Sequence, residues 1–234
     1  LVRMVSAHDG HVVMPNAFIP VAEDRGYIHE IGMWVVEQVV PLLAHWPLHD
    51  PAWPAPGHIS VNVSPIQLRD PAFVGRVRDV LKRHGVAAER LALEITESCL
   101  VDADEANMRA LHGLSALGCP LAIDDFGTGF SSLASLKQFP FSVLKIDRSF
   151  VSGLTRESSA FDLIKTIVDI AGAFNMKLIA EGIETGEELA VLTTILPKGR
   201  MALAQGYLFG RPAALPMAEA LREPKAVQPV GEAP

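Results

Sequence analysis

Apolar residues along this chain follow two different periods. Short, near-continuous runs occur in "HISVNVS" (58–64), "LALEIT" (91–96), "PLAIDD" (120–125), "SVLKID" (142–147) and "KLIAEG" (177–182), with a shorter one in "LAQGYLF" (203–209). Between them lie longer stretches in which apolar side chains return every three or four residues. Runs of the first kind are what strands buried on both faces require, and their alternation with helical segments predicts βα units wrapped around a parallel sheet.

The helical stretches carry their own boundaries. Leu111, Leu114 and Leu117 form an apolar stripe, introduced by Asp102 with Glu105 three residues on as a capping box and ended by Gly118 and Pro120. Phe161, Ile164, Val168 and Ala171 repeat at helical spacing up to Asn175, a plausible terminator. Thr185 and Glu188 read as a second capping box, with Leu189, Leu192 and Ile195 or Leu196 as the buried face and Pro197 as the stop. Earlier helices are predicted over about Ile31 to Trp46 and about Pro71 to His84. "PLHDPAWPAPG" (47–57) reads as a proline-rich loop, and the last residues, 223–234, have no period and read as a flexible tail after a single domain spanning 1–222.

Polar residues interrupt the strand runs at one end only. Asn62 closes "SVNV", Glu94 "LALE", Asp124 and Asp125 "LAIDD", Lys145 and Asp147 "VLKID", Glu181 "LIAE", and Gln205 opens "QGY". Each has a bland reading: an Asp before Gly is usually a turn residue, Glu94 with Glu97 can start a solvated helix, Lys145 can pair with Asp147, and Gln205 can be a surface amide. Their joint occurrence near the C-terminal ends of successive strands outweighs these, because that end is where barrel enzymes build their sites. Carboxylates gathered there would raise one another's pKa values and destabilise the fold unless a cation neutralised them. The ligand set is all oxygen, which favours Mg²⁺ or Mn²⁺ over Zn²⁺. Adjacent Asp124 and Asp125 suit a two-metal site that activates water and clamps a phosphate, and Lys145 suits a group that holds that water or a phosphoryl oxygen. The chemistry points to a phosphoester, with enolase-like chemistry as a competitor.

Composition narrows the class. The chain has 234 residues, 49% hydrophobic and 20% charged, enough for one extensive core. A net charge of −7 and a pI near 5.6 provide no basic footprint for a nucleic-acid polymer or an anionic membrane. No apolar run approaches the ~20 residues that span a bilayer. Cys99 and Cys119, without C-x-x-C spacing, read as buried thiols in a reducing compartment, and a cytoplasmic setting follows.

Taken together, "FIPVAE", "VNVSPIQ", "LEITES", "DDFGTGFSSL", "LKIDRSF", "IAEGIE" and "QGYLFGRP" resemble the EAL family of bacterial cyclic di-GMP phosphodiesterases, in the family's order and spacing from Leu1 to about Pro212. The resemblance implies an α/β fold, a (β/α)₈ TIM-like barrel with one antiparallel strand, and hydrolysis of cyclic di-GMP to linear pGpG with two Mg²⁺ or Mn²⁺ ions and inhibition by Ca²⁺. It implies that Asn62, Glu94 and Asp124 bind one ion and Asp124, Asp125 and Glu181 the other, that Lys145 orients the attacking water, and that Arg3, Gln67, Asp147, Gln205 and Arg211 meet the substrate. Glu97 is implied to anchor the loop "DFGTGFSS", with Gly127 and Gly129 allowing its bend, and Glu184 to support the site. A homodimer, and fusion to sensory, receiver or GGDEF domains, are implied likewise.

The match departs from the family pattern in three places. "LVR" reads as the tail of E-A-L-V-R, so one further metal-binding glutamate is expected upstream of Leu1. "MVSA" (4–7) stands where a Trp and a His-Pro pair are usual, and Ala202 stands where an Asp is common. The rival readings are a non-catalytic cyclic di-GMP receptor and a scaffold whose acids are relics. Intact ligands and an intact "DDFGTG" favour the enzyme.

Overall fold

The computed structural model describes residues 2–45, 57–101, 104–129, 136–196 and 202–212. Two short strands, β1 (Met4–Val5) and β2 (Val12–Val13), pair antiparallel as a hairpin. Six more, β3 (Ile59–Asn62), β4 (Leu91–Thr96), β5 (Leu121–Phe126), β6 (Val143–Ile146), β7 (Lys177–Ala180) and β8 (Ala202–Ala204), form one curled parallel sheet in sequence order. Parallel neighbours need crossovers: α3 (Phe73–His84) joins β3 to β4, α4 (Glu105–Leu117) β4 to β5, α5 (Ser159–Ala173) β6 to β7 and α6 (Gly186–Ile195) β7 to β8, while α1 (Pro15–Asp24) and α2 (Ile28–His45) lie between the hairpin and β3. One-turn helices over Pro65–Leu68, Ser98–Val101 and Arg148–Val151 follow strand ends. The result is an α/β, TIM-like architecture whose antiparallel element is the N-terminal hairpin.

The two-residue period of a strand sorts its side chains between helices and interior. Leu91, Leu93, Ile95, Leu121, Ile123, Leu144, Ile146 and Leu178 join the large core shared with the helices, which includes Val36 and Val40 of α2, Phe73, Val77 and Val80 of α3, Leu111 and Leu114 of α4, and Ile164 and Val168 of α5. The intervening positions Ala122, Val143 and Ile179 form a separate small cluster on the other face. Two residues beyond each along the strand lie Asp124, Lys145 and Glu181. Glu94 occupies the equivalent alternate position on β4. One face of the sheet therefore carries a layer of small and branched apolar side chains and, at its C-terminal end, a layer of ionisable ones.

Several boundaries differ from the sequence expectation. The cap of α4 is Asp104, whose carboxylate accepts the Asn107 N–H at 2.9 Å, so Glu105 is the first helical residue and not the far half of a box; Asp102 lies outside the described residues. β5 runs one residue past Asp125, to Phe126. α2 starts at Ile28, a turn earlier than the periodicity indicated, because Tyr27, Ile28 and Ile31 give no sharp start signal. The predicted end at Trp46, most of the proline-rich loop, the stop at Pro197 and the tail at 223–234 are outside the described residues. Elsewhere the signals are met: Gly85 and Gly118 close α3 and α4 in the left-handed conformation, Asn175 has φ 55° after α5, and Thr185 and Glu188 form a complete capping box. Among the described residues no helix is long and apolar enough to cross a membrane.

Candidate active site

The site is organised around one cation. Lys145 on β6 is 3% exposed, and its Nζ lies 2.6 Å from Oε2 of Glu94, 2.9 Å from Oδ1 of Asp124 and 2.6 Å from Oε1 of Glu181, so strands β4, β5 and the end of β7 each send one carboxylate to it. Burial alone would make the ammonium easier to deprotonate; the charges of Glu94 and Asp124 and hydrogen bonds to Glu181 and Glu94 outweigh that, so its pKa stands above the usual lysine value. Burial has the opposite net result at Glu181: it raises the carboxyl's pKa despite the bond from Lys145.

The adjacent acids reach this site through a bulge. Ile123 pairs with Leu144 and Phe126 with Ile146, so three steps along β5 match two along β6, and Asp124 and Asp125 together stand opposite Lys145. In a regular strand Asp125 would point to the helix side. Here it takes φ 55°, a conformation that Asp tolerates better than most non-glycine residues, and neither acid is buried in the core. Burial, then the neighbouring charges of Asp124 and Asp147, push the Asp125 carboxyl up from 3.8 to about 6, and it shares a hydrogen bond with Asp147. Burial also works against ionised Asp147, but the side chain and backbone N–H of Ser149 bond to its carboxylate and hold its pKa below the ordinary value. Three carboxyls, Glu94, Asp124 and Glu181, thus hold a single buried ammonium, and Asp125 and Asp147 bond to each other beside Asp124.

Glu97 is 3% exposed, just past β4, and its Oε2 accepts the N–H groups of Gly127 at 2.9 Å and Gly129 at 3.0 Å. Gly127 has φ 100°, and a Cβ there would lie 2.8 Å from the Phe150 ring, so the turn after Asp125 depends on glycine for both conformation and space. The remainder of the "DFGTGFSS" segment, from Phe130, is outside the described residues.

Other candidates are placed differently. Asn62 ends β3 in register with Glu94 and is exposed. Glu184 pairs with Arg148, Oε1 to Nη2 at 2.8 Å. Gln205 follows β8, its N–H bonded to the Ala180 carbonyl, and its side chain is exposed. Arg211 lies over the Tyr207 ring at 4.9 Å. Arg3 lines a cavity of about 350 Å³ with Val2, Phe18, Glu30 and Trp34. Gln67 is 2% exposed and engaged in structure: its Oε1 accepts the Ser64 N–H, Ser64 Oγ accepts from Ile66, and its amide lies so close to Gly32 of α2 that a Cβ there would overlap it. The sequence "SPIQ" is itself a capping box, which was the available sign of this role.

Among the described residues no three His, Cys, Asp or Glu side chains close on one another as a ready-made cation cage; the Lys145 ammonium stands at their focus instead. The donor set nonetheless fits hard divalent ions, since it is all oxygen and carries more negative charge than Lys145 offsets.

A family model described as the EAL domain matches residues 1–212. Among curated relatives, the Pseudomonas aeruginosa bifunctional diguanylate cyclase/cyclic di-GMP phosphodiesterase MucR is 38% identical over 206 residues, 88% of this chain and 29% of that protein. The Escherichia coli cyclic di-GMP phosphodiesterase PdeR is 36% identical over 212 residues, 91% of this chain and 31% of that one. The solved structure of the MucR phosphodiesterase in complex with cyclic di-GMP superposes with a TM-score of 0.79 at 38% identity, covering 88% of this chain and 87% of that one. The chain spans from about a quarter to a third of the length of the curated relatives it matches.

Proposed function

The chain belongs to the EAL domain family, and from that premise we propose that it hydrolyses one phosphodiester of cyclic di-GMP, adding water across a P–O bond to yield linear pGpG. The observation that carries this reading is the Lys145 ammonium held within 2.9 Å of Glu94, Asp124 and Glu181, with Asp125 brought to the same side by the bulge in β5. A scaffold has no use for three carboxylates on one buried cation with two more acids beside them, whereas phosphoryl chemistry needs both the acids and the lysine.

Asn62, Glu94 and Asp124 would hold one divalent ion and Asp124, Asp125 and Glu181 a second, Mg²⁺ or Mn²⁺ by their oxygen donors. Bound there, such ions supply Lewis acidity toward the phosphoryl group and lower the pKa of water. The chain's own residues do the positioning. Lys145, kept charged through the neutral range, donates hydrogen bonds that orient the attacking water or a phosphoryl oxygen. Glu97 fixes the turn that follows Asp125, so both aspartates keep their direction. Arg3, Gln205 and Arg211, all exposed, are available to a dianionic nucleotide, Asp147 to its attacking or leaving side, and Gln67 acts on substrate only through the loop it caps.

By the same reading Ca²⁺ binds without supporting turnover, the domain works in the cytoplasm as a homodimer, and it serves a longer protein with sensory, receiver or GGDEF modules. The test is chromatography of cyclic di-GMP incubated with Mg²⁺ or Mn²⁺ and this chain, the chain extended by Glu-Ala before Leu1, and Asp124→Ala of each. Appearance of pGpG that the substitution abolishes supports the hydrolase. Nucleotide that binds in calorimetry with Ca²⁺ yet stays cyclic in every case leaves the receptor, and no binding leaves the scaffold.

A further inference from the structure

Glu188 was expected only to cap α6, but its carboxylate does more than a cap requires. A capping box needs one reciprocal pair, and Thr185 and Glu188 make it: Thr185 Oγ1 accepts the Glu188 N–H at 3.2 Å, and Glu188 Oε2 accepts the Thr185 N–H at 3.0 Å. Oε2 also accepts the Glu184 N–H at 2.8 Å, and Oε1 reaches across to accept the Gly153 N–H at 2.8 Å. The side chain is 6% exposed. Burial disfavours its charge, yet the bonds from Gly153, Glu184 and Thr185 hold its pKa below the ordinary glutamate value.

These bonds join two active-site loops. Gly153, with φ 69°, follows the one-turn helix Arg148–Val151 that starts from Asp147 at the end of β6. Glu184 and Thr185 belong to the segment that leaves β7 through Glu181. The same two loops meet again through Arg148, whose guanidinium pairs with Glu184 and whose stem lies across Gly182 so closely that a Cβ there would be 2.2 Å from Arg148 Cγ. Glu181 therefore sits between β7 and a segment fastened to the β6 loop at its far end.

We propose that Glu188 is a positioning residue for the hydrolysis assigned above: by tying the N–H groups of Gly153, Glu184 and Thr185 with two oxygens, it fixes the β7 loop so that Glu181 keeps its place at Lys145. It touches neither substrate nor the reacting atoms. The inference rests on the hydrolase reading for its kinetic readout but not for its structural one.

Two substitutions separate positioning from capping. Glu188→Gln keeps one acceptor oxygen, enough for Glu184 and Thr185 and hence for the cap, but presents an NH₂ to the Gly153 N–H. Thr185→Ala removes the other half of the cap and leaves the tie to Gly153. Thermal melts, kcat and KM for cyclic di-GMP, and amide hydrogen exchange of residues 150–156 and 181–188 are measured on both. Glu188→Gln is expected to lower kcat by about 10-fold or more, in the range seen when a group that orients a ligating side chain is lost, with KM within about twofold and faster exchange in both segments. Thr185→Ala is expected to melt earlier and to keep kcat. Equal kcat and unchanged exchange in Glu188→Gln would overturn the proposal, as would kcat losses that merely follow the melting temperatures of the two variants. If neither the wild-type chain nor the chain extended by Glu-Ala turns over cyclic di-GMP, the hydrolase reading fails by itself, and exchange alone still decides whether Glu188 ties the loops; if only the extended chain is active, the kinetic comparison is made on it.

Discussion

Nζ of Lys145 lies 2.6 Å from Oε2 of Glu94, two strands away, and the two side chains are 4% and 10% exposed. Their contact crosses over β5, so it fixes the spacing of three consecutive strands and not only a local pair. Removing the ammonium would leave Glu94, Asp124 and Glu181 facing each other in a poorly solvated space. Lys145→Met is expected to abolish turnover and, without divalent ions, to destabilise the fold at pH 7 by roughly 3 kcal/mol, as breaking one side of a buried pair does. The loss should shrink on acidification, because protons can then neutralise the stranded acids. The lysine's raised pKa adds no slope of its own there: its stabilisation is complete below the unfolded value of 10.5 and fades only as pH rises through the higher folded value. Urea titrations at pH 7 and pH 5 measure this, and equal loss at both would contradict it.

Asp125 carries a penalty of the opposite sign. Its folded pKa of about 6 exceeds the unfolded 3.8, so the folded state holds a proton that the unfolded chain releases between those values. Stability is therefore unaffected below about pH 4, declines as pH rises to about 6, and stays lowered above it. Asp125→Asn should remove that decline and, after allowance for solvent around a partly exposed group, raise stability at pH 7 in a chelator by about 1 kcal/mol. Saturating Mg²⁺ should reverse the order, stabilising wild type more than the variant because only wild type offers the charged ligand. Melting curves with and without Mg²⁺ from pH 4 to pH 8 test both halves; a variant less stable than wild type in chelator would refute the first.

How much of this was legible in the sequence depends on the range of the interaction. The strand "LALEIT" is found with both ends as read, because its apolar run, its length and its final threonine are all local. The convergence of Glu94, Asp124, Lys145 and Glu181 was readable from their equivalent places in successive runs, since the two-residue period alone puts them on one face. The bulge was not: adjacent aspartates say nothing about register, which β5 settles against β6. The hairpin of β1 and β2, two residues per strand, is too short to show a period, and α1 hides behind Pro15 and Pro20. Gln67 had a local sign of its capping bond, Ser64 three residues before it. Glu188 had only its capping half on display, because Gly153 is 35 residues away.

The loop after β5 gives a prediction about acceptor geometry. Both the Gly127 and Gly129 N–H groups go to the same oxygen of Glu97, Oε2. An amide oxygen can serve them, so Glu97→Gln should cost less than Glu97→Ala, which leaves the half-buried Gly127 N–H and the exposed Gly129 N–H to water at about 1 kcal/mol or more. Denaturant midpoints of the two Glu97 variants are the measurement, and Gln as costly as Ala would show that the carboxylate's charge matters more than its acceptor.

The last prediction concerns Gly182, directly after Glu181. Its φ of 71° is one that alanine adopts at a cost of about 1–2 kcal/mol. Space adds to this, since a Cβ would come within 2.2 Å of Arg148 Cγ and 2.6 Å of Arg148 Cβ. The far end of a long side chain can swing aside, but Cβ is fixed by the backbone, so the helix starting at Arg148 or the segment carrying Glu181 must shift. Either movement pulls Arg148 from Glu184 and alters the distance from Glu181 to Lys145. Gly182→Ala is therefore expected to cost about 2–3 kcal/mol and to depress kcat beyond what partial unfolding explains. Gly186→Ala is the matched control: it lies four residues on, at the first position of α6, with nothing within 4 Å of a Cβ and no left-handed φ. It should stay within about 0.5 kcal/mol of wild type. If melting and kcat respond alike in the two variants, the close approach of Arg148 to Gly182 does not constrain Glu181.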